Sequence, residues 1–174
     1  MLTEKEQELI AIGASIAAGC QPCTTFHIRA ARIAEANDDE IRRAVGNALR
    51  VRRNATEVMA RIGASQSVDA SASEANDDED KSLIGALVSI GSAYAVNCVT
   101  NLETHVASAR EQGATDGQIL SAIKISCAVK DVAGNKAKAA AAKAFGRSET
   151  GGDECGCGDN TGESDKTAHC DCQN

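Results

Sequence analysis

Leu9–Ile41, LIAIGASIAAGCQPCTTFHIRAARIAEANDDEI, returns 78 residues later at Leu87–Ile119 as LVSIGSAYAVNCVTNLETHVASAREQGATDGQI. The correspondence runs without a gap. It pairs Ile12-Gly13 with Ile90-Gly91, Cys20 with Cys98, His27 with His105, Asp38 with Asp116, and beyond the quoted stretch Val51 with Val129. Residues as rare as Cys and His align along with the helix-start signals, so the chain reads as one unit used twice.

The unit is helical. Thr3–Glu6, Asn37–Glu40, Asn76–Glu79 and Thr115–Gln118 each place a short polar residue three positions before Glu or Gln, the pattern of a reciprocal helix cap. Apolar residues then step at helical spacing, as in Ile41, Val45, Ala48/Leu49, Ala55, Met59 and Ile62, and again in Ile119, Ile123 and Cys127. No stretch keeps the period of two that a strand would need. The expected fold class is all-α: a duplicated three-helix unit, with helices over 4–18, 21–36 and 38–62, then 77–96, 99–113 and 116–145. The first unit spans 1–64, a polar linker 65–76, the second unit 77–146 and an acidic tail 147–174. Phe26, Tyr94 and Phe145 are the only aromatic residues, so the core is expected to be Ala, Ile, Leu and Val, with Cys127 in it and Phe26 anchoring the second helix.

Charge is unevenly spread. Ser65–Asp80 holds six acids and no base, and Glu149–Asn174 seven acids and Lys166, which leaves 17 basic against 12 acidic residues elsewhere. The acidic, Gly-rich tail is expected not to fold alone. Arg42, Arg43, Arg50, Arg52 and Arg53 form a basic stretch on the third helix, but without aromatic stacking partners it gives no nucleic-acid signature. The opening residues are charged from Glu4 and no run of eighteen apolar residues occurs, so a cytoplasmic protein with no membrane segment is expected. In a reducing compartment, eight cysteines point to catalysis or metal binding rather than to a disulfide scaffold.

Chemistry concentrates in GCQPCTTFH, residues 19–27. Gly19 ends one helix and Pro22 suits the first turn of the next, which puts Cys20 and Cys23 at a helix N-terminus. Unpaired amides and the positive end of the helix dipole favour thiolate there, and Cys-X-X-Cys thiols in such settings fall from about 8.5 to roughly 3.5–7.5. His27 follows one turn later on the same stripe and can move protons. Structural zinc is the alternative, with Glu8 or a tail cysteine completing a set of four ligands.

These residues resemble the alkylhydroperoxidase D and carboxymuconolactone decarboxylase family, whose thiol-active branch has a glutamate twelve residues before Cys-X-X-Cys and a histidine after three more. Glu8, Cys20, Cys23 and His27 fall on that pattern. The resemblance implies an alkylhydroperoxidase D-like helical bundle that forms homo-oligomers, trimers or hexamers. It implies a dithiol that reduces a hydroperoxide or disulfide substrate, needs no cofactor, and is itself reduced by a thiol reductant protein. Cys23 would attack the peroxide, Cys20 would resolve the sulfenic acid, and Glu8 with His27 would relay the proton. Some members have a histidine directly before the second cysteine; here Pro22 stands there, which brings disulfide reductase activity forward beside peroxidase activity. A lactone decarboxylase-type member, from the family's other branch, is a further alternative that the resemblance implies, although proton chemistry on a lactone needs no dithiol.

In the second unit Ala86, Cys98, Asn101 and His105 stand at the four positions, so Cys98 and His105 are read as a degenerate site. The tail adds Cys155, Cys157, His169, Cys170 and Cys172. These offer ligands for Zn²⁺ or another soft metal, which would make a metal- or metalloid-binding protein the alternative function. They could equally exchange disulfides with Cys20 and Cys23.

Overall fold

A computed structural model of the chain describes residues 1–64, 80 and 82–145. Among these residues there are six helices and no strand: α1 (Glu4–Ala17), α2 (Gln21–Ile33), α3 (Asp38–Gly63), α4 (Leu83–Ala95), α5 (Val99–Glu111) and α6 (Asp116–Ala144). Thr3, Asn37 and Thr115 form complete reciprocal caps at the heads of α1, α3 and α6. The linker over 65–76, the Asn76–Glu79 pair and the tail with Cys155, Cys157, His169, Cys170 and Cys172 lie outside the described residues.

Several bonds recur at positions 78 residues apart. The backbone amide of Cys20 donates to Ser15 O at 3.0 Å and that of Cys98 to Ala93 O at 3.1 Å. Arg32 pairs with Asp38 at 3.0 Å, and Arg110 with Asp116 at 3.1 Å. The turn from α1 to α2 needs one left-handed residue, Gly19 at φ 73°; the turn from α4 to α5 uses Asn97 at φ 57°, a residue whose side chain tolerates that region.

Helices α1 and α4 pack side by side at the centre, α3 and α6 each lie against both, and α2 and α5 sit outside on α1 and α4 respectively. Ile10, Ile12, Leu87 and Ile90 are fully buried along the central pair, each worth about 1.5–3 kcal/mol of transfer free energy. Close approach depends on two equivalent glycines. A Cβ on Gly13 would stand 2.7 Å from Val88 Cγ1, and one on Gly91 would stand 2.6 Å from Ser126 Oγ. At the edge of the bundle the Lys5 ammonium, 2.8 Å from Glu40 Oε1, joins α1 to α3. Together with the Asn37 backbone amide it holds the Glu40 carboxyl below its ordinary range. The contribution of this contact to stability is present at neutral pH and fades as pH falls below 4.5.

Two expectations are corrected. The fourth helix was expected from residue 77 but starts at Leu83, because Ser82 Oγ caps it by accepting from the Gly85 amide at 3.1 Å. Asp80, ahead of that cap, is held in place by Asn47. Its side-chain amide donates to Gly85 O at 3.1 Å and to Asp80 O at 3.4 Å, and its carbonyl accepts from Asp80 N at 3.3 Å. Removing this buried clamp leaves backbone groups unpaired, so Asn47→Ala is expected to lower unfolding free energy by about 1–3 kcal/mol. Urea titration checks this, and an unchanged midpoint would refute the clamp. The second correction concerns Phe26, which does not anchor α2. It is 63% exposed, because the face of α2 that meets the bundle carries Cys23, Ile28 and Ala31 instead.

Candidate active site

Cys20 is the N-cap of α2, and its Sγ accepts from the Cys23 backbone amide at 3.3 Å. Pro22 occupies the first turn of α2, where its missing N–H deprives the helix of nothing. Ser15 Oγ meets Thr24 Oγ1 at 3.0 Å, and Thr24 Oγ1 donates to Cys20 O at 3.0 Å, so the end of α1 fixes the head of α2. Arg52 reaches across from α3 and donates to Ile16 O at 2.9 Å, closing the C-terminal end of α1 beside Gly19. Cys20 and Cys23 are bonded to each other with Cα atoms 5.3 Å apart, an ordinary span for a disulfide. Both are buried, at 7% and 4% exposure.

One turn further on, His27 Nδ1 lies 2.8 Å from Glu8 Oε2 on α1. Both side chains are largely buried, at 17% and 22% exposure. An ionised carboxylate only accepts, so with Glu8 ionised the Nδ1–H donates and Nε2 is left to exchange a proton. Glu8, Cys20, Cys23 and His27 therefore converge where α1 and α2 pack together. An acid, a proton carrier and a sulfur pair in this order suit acid–base-assisted thiol chemistry. Phe26 meets the His27 ring edge-on at 5.1 Å, so it borders the site instead of anchoring α2 to the core.

The far wall of the site comes from the other half of the chain. A cleft of about 500 Å³ beside Cys23 and His27 is closed by Ala128, Val129, Val132 and Lys136 of α6. A second cleft of about 500 Å³ opens on the Cys20 side, between the α1–α2 turn and Lys130, Gly134, Lys136 and Ala140 of α6. Sequence reasoning missed these α6 residues, although a signal existed. Val129 corresponds to Val51, and two units packed face to face each lay their third helix across the other's second.

The second site shows what happened to the same frame. Cys98 caps α5 without a side-chain hydrogen bond, and Asn101, in the place of Cys23, donates from Nδ2 to Val51 O at 3.1 Å. Asn101 thus ties α5 to α3, and Ala86, in the place of Glu8, is buried. Cys127 is buried as well, its Sγ 4.0 Å from Asp131 Oδ2. Among the described residues no group of three or more His, Cys, Asp or Glu is arranged to hold a metal ion. No described helix is long and apolar enough to cross a membrane.

Comparison with curated proteins and with solved structures gives no match. Residues 1–64 match the model of the Carboxymuconolactone decarboxylase family. The match covers α1, α2 and α3 and contains Glu8, Cys20, Cys23 and His27. Over residues 1–64, the stretch that carries Cys20 and Cys23, the chain is similar to the carboxymuconolactone decarboxylase family.

Proposed function

We propose that the chain is a dithiol oxidoreductase that reduces a hydroperoxide through Cys23 and Cys20. The observation that carries this reading is the 2.8 Å contact between His27 and Glu8, set one turn from a cysteine pair at the head of a helix. A structural disulfide would have no need of a buried, oriented proton carrier beside it.

In the reduced protein the Cys23 thiolate attacks the outer oxygen of the hydroperoxide. An S–O bond forms, the O–O bond breaks, and the alkoxide leaves as an alcohol with a proton supplied by His27. Glu8 holds the imidazole in the orientation that delivers it. The Cys20 thiolate, favoured by the Cys23 amide while that geometry holds, then attacks the Cys23 sulfenic acid. An S–S bond forms and hydroxide leaves, taking a proton from solvent to become water, which gives the disulfide state. A dithiol returns both sulfurs to thiols by two exchange steps.

The apolar lining beside Cys23 favours a hydroperoxide on a hydrocarbon body. With Cys155, Cys157, Cys170 and Cys172 replaced by Ser in the full-length chain, reduced protein given one equivalent of cumene hydroperoxide is expected to lose two thiols, mapped by alkylation to Cys20 and Cys23, while Cys23→Ser added to this variant leaves peroxide consumption no faster than buffer. Retention of both thiols in the tail-substituted protein would refute the proposal.

A further inference from the structure

The cleft on the Cys20 side has a wall, a charge and an end that together suggest its occupant. Its α6 wall runs from Lys130 to Ala140, and α6 ends at Ala144, directly beyond it. From Lys130 to Lys143 this helix carries Lys130, Lys136, Lys138 and Lys143 against Asp131 alone. Residues 146–174 follow, with seven acids, two bases (Arg147 and Lys166) and four cysteines.

We infer that the segment around Cys155 and Cys157 seats in this cleft and reduces the Cys20–Cys23 disulfide in cis. The inference rests on the dithiol reading above and names the donor that serves it. Reach permits the move. From Phe145 back to the level of Ala133 is about 18 Å along a helix, while Cys155 follows Phe145 by ten residues, enough for up to about 33–36 Å. Cys170 and Cys172 would have to close a longer loop, at greater entropic cost. Need supports it too: the two sulfurs are 7% and 4% exposed, so a bulky external dithiol approaches them poorly, whereas a tethered thiol acts at high effective concentration.

The exchange balances without any further oxidant. A thiolate of Cys155 or Cys157 attacks the sulfur of Cys20, the cysteine of the pair that lines this cleft; a mixed disulfide forms and Cys23 leaves as thiolate. The neighbouring tail thiol loses its proton to water and attacks the tail sulfur, Cys155 and Cys157 become bonded to each other, and Cys20 leaves as thiolate. Two electrons have moved from tail to core, and an external dithiol reductant then restores the tail.

The experiment uses full-length Cys23→Ser, in which the first step has no return. After reduction and mild oxidation with diamide, peptide mapping is expected to find Cys20 joined to Cys155 or Cys157 within one chain, at a rate independent of protein concentration. Lys136→Glu with Lys138→Glu is expected to slow this at least fivefold. A join to Cys170 or Cys172, joins between chains only, no join, or tail thiols protected by one bound zinc per chain each overturn the inference.

A second measurement covers the case in which Cys23→Ser is misfolded. In an otherwise native chain, Cys155→Ser with Cys157→Ser is expected to slow reduction of Cys20–Cys23 by limiting dithiothreitol at least tenfold; a rate within twofold overturns the inference. Neither assay contains peroxide. Loss of peroxide consumption with intact exchange would therefore sink the peroxidase reading alone.

Discussion

His27→Ala is expected to lower the second-order rate of Cys23 oxidation by hydroperoxide about 10²–10⁴-fold, the usual worth of a positioned proton donor. The imidazole is held by Glu8 at 2.8 Å, and His27 lines the same cleft as Cys23. Without it the departing alkoxide must wait for water to enter a mostly apolar cleft. Glu8→Gln keeps the shape but weakens the acceptor, so its loss is expected to be smaller and to fall on kcat more than on KM. Stopped-flow measurement of peroxide consumption from pH 5 to 9 checks both variants, with added imidazole restoring part of the His27→Ala rate. A His27→Ala rate within threefold of the native protein would show that the ring is only packing.

The largest effect on stability is expected at Ile12 and Ile90, equivalent residues of the two units and both fully buried. Replacing either with Ala removes three carbons from the central α1–α4 contact and leaves a cavity, at a cost of about 2–5 kcal/mol. The glycines beside them let the two helix backbones approach closely, which limits how far the bundle can relax into the space. Met59, 65% exposed on α3, serves as the control, and Met59→Ala is expected to stay within about 0.5 kcal/mol. Urea denaturation followed by circular dichroism reads all three. Equal midpoints for Ile12→Ala and Met59→Ala would mean that the central pair does not hold the fold.

Much of this was legible before any coordinates, and the reason is local. A cap such as Thr3 with Glu6 is complete within four residues, and the Cys20, Cys23, His27 stripe follows from helical spacing alone, so both read directly from the chain. The pairing of Glu8 with His27 was legible only through resemblance, because that contact crosses between two helices. Where sequence reading failed, a distant residue had decided the outcome. Asn47 sets where α4 begins by gripping Asp80 and Gly85, and no window around residue 77 contains Asn47. Phe26 looked like an anchor because it is large and apolar, yet which face of α2 meets the bundle is settled by how α2 lies on α1.

The amino-acid sequence by itself determined the helices, the doubling and the pair of sulfurs at a helix head, since each depends on side chains within a few turns of one another. Tertiary structure alone decided that the site belongs to both halves. With α1 and α4 packed at glycine distance, the third helix of each unit is carried across the second helix of the other, so α6 walls a pocket whose reactive groups all lie on α1 and α2. That crossing is a matter of side-chain volume between residues far apart in the chain, and local propensity does not encode it.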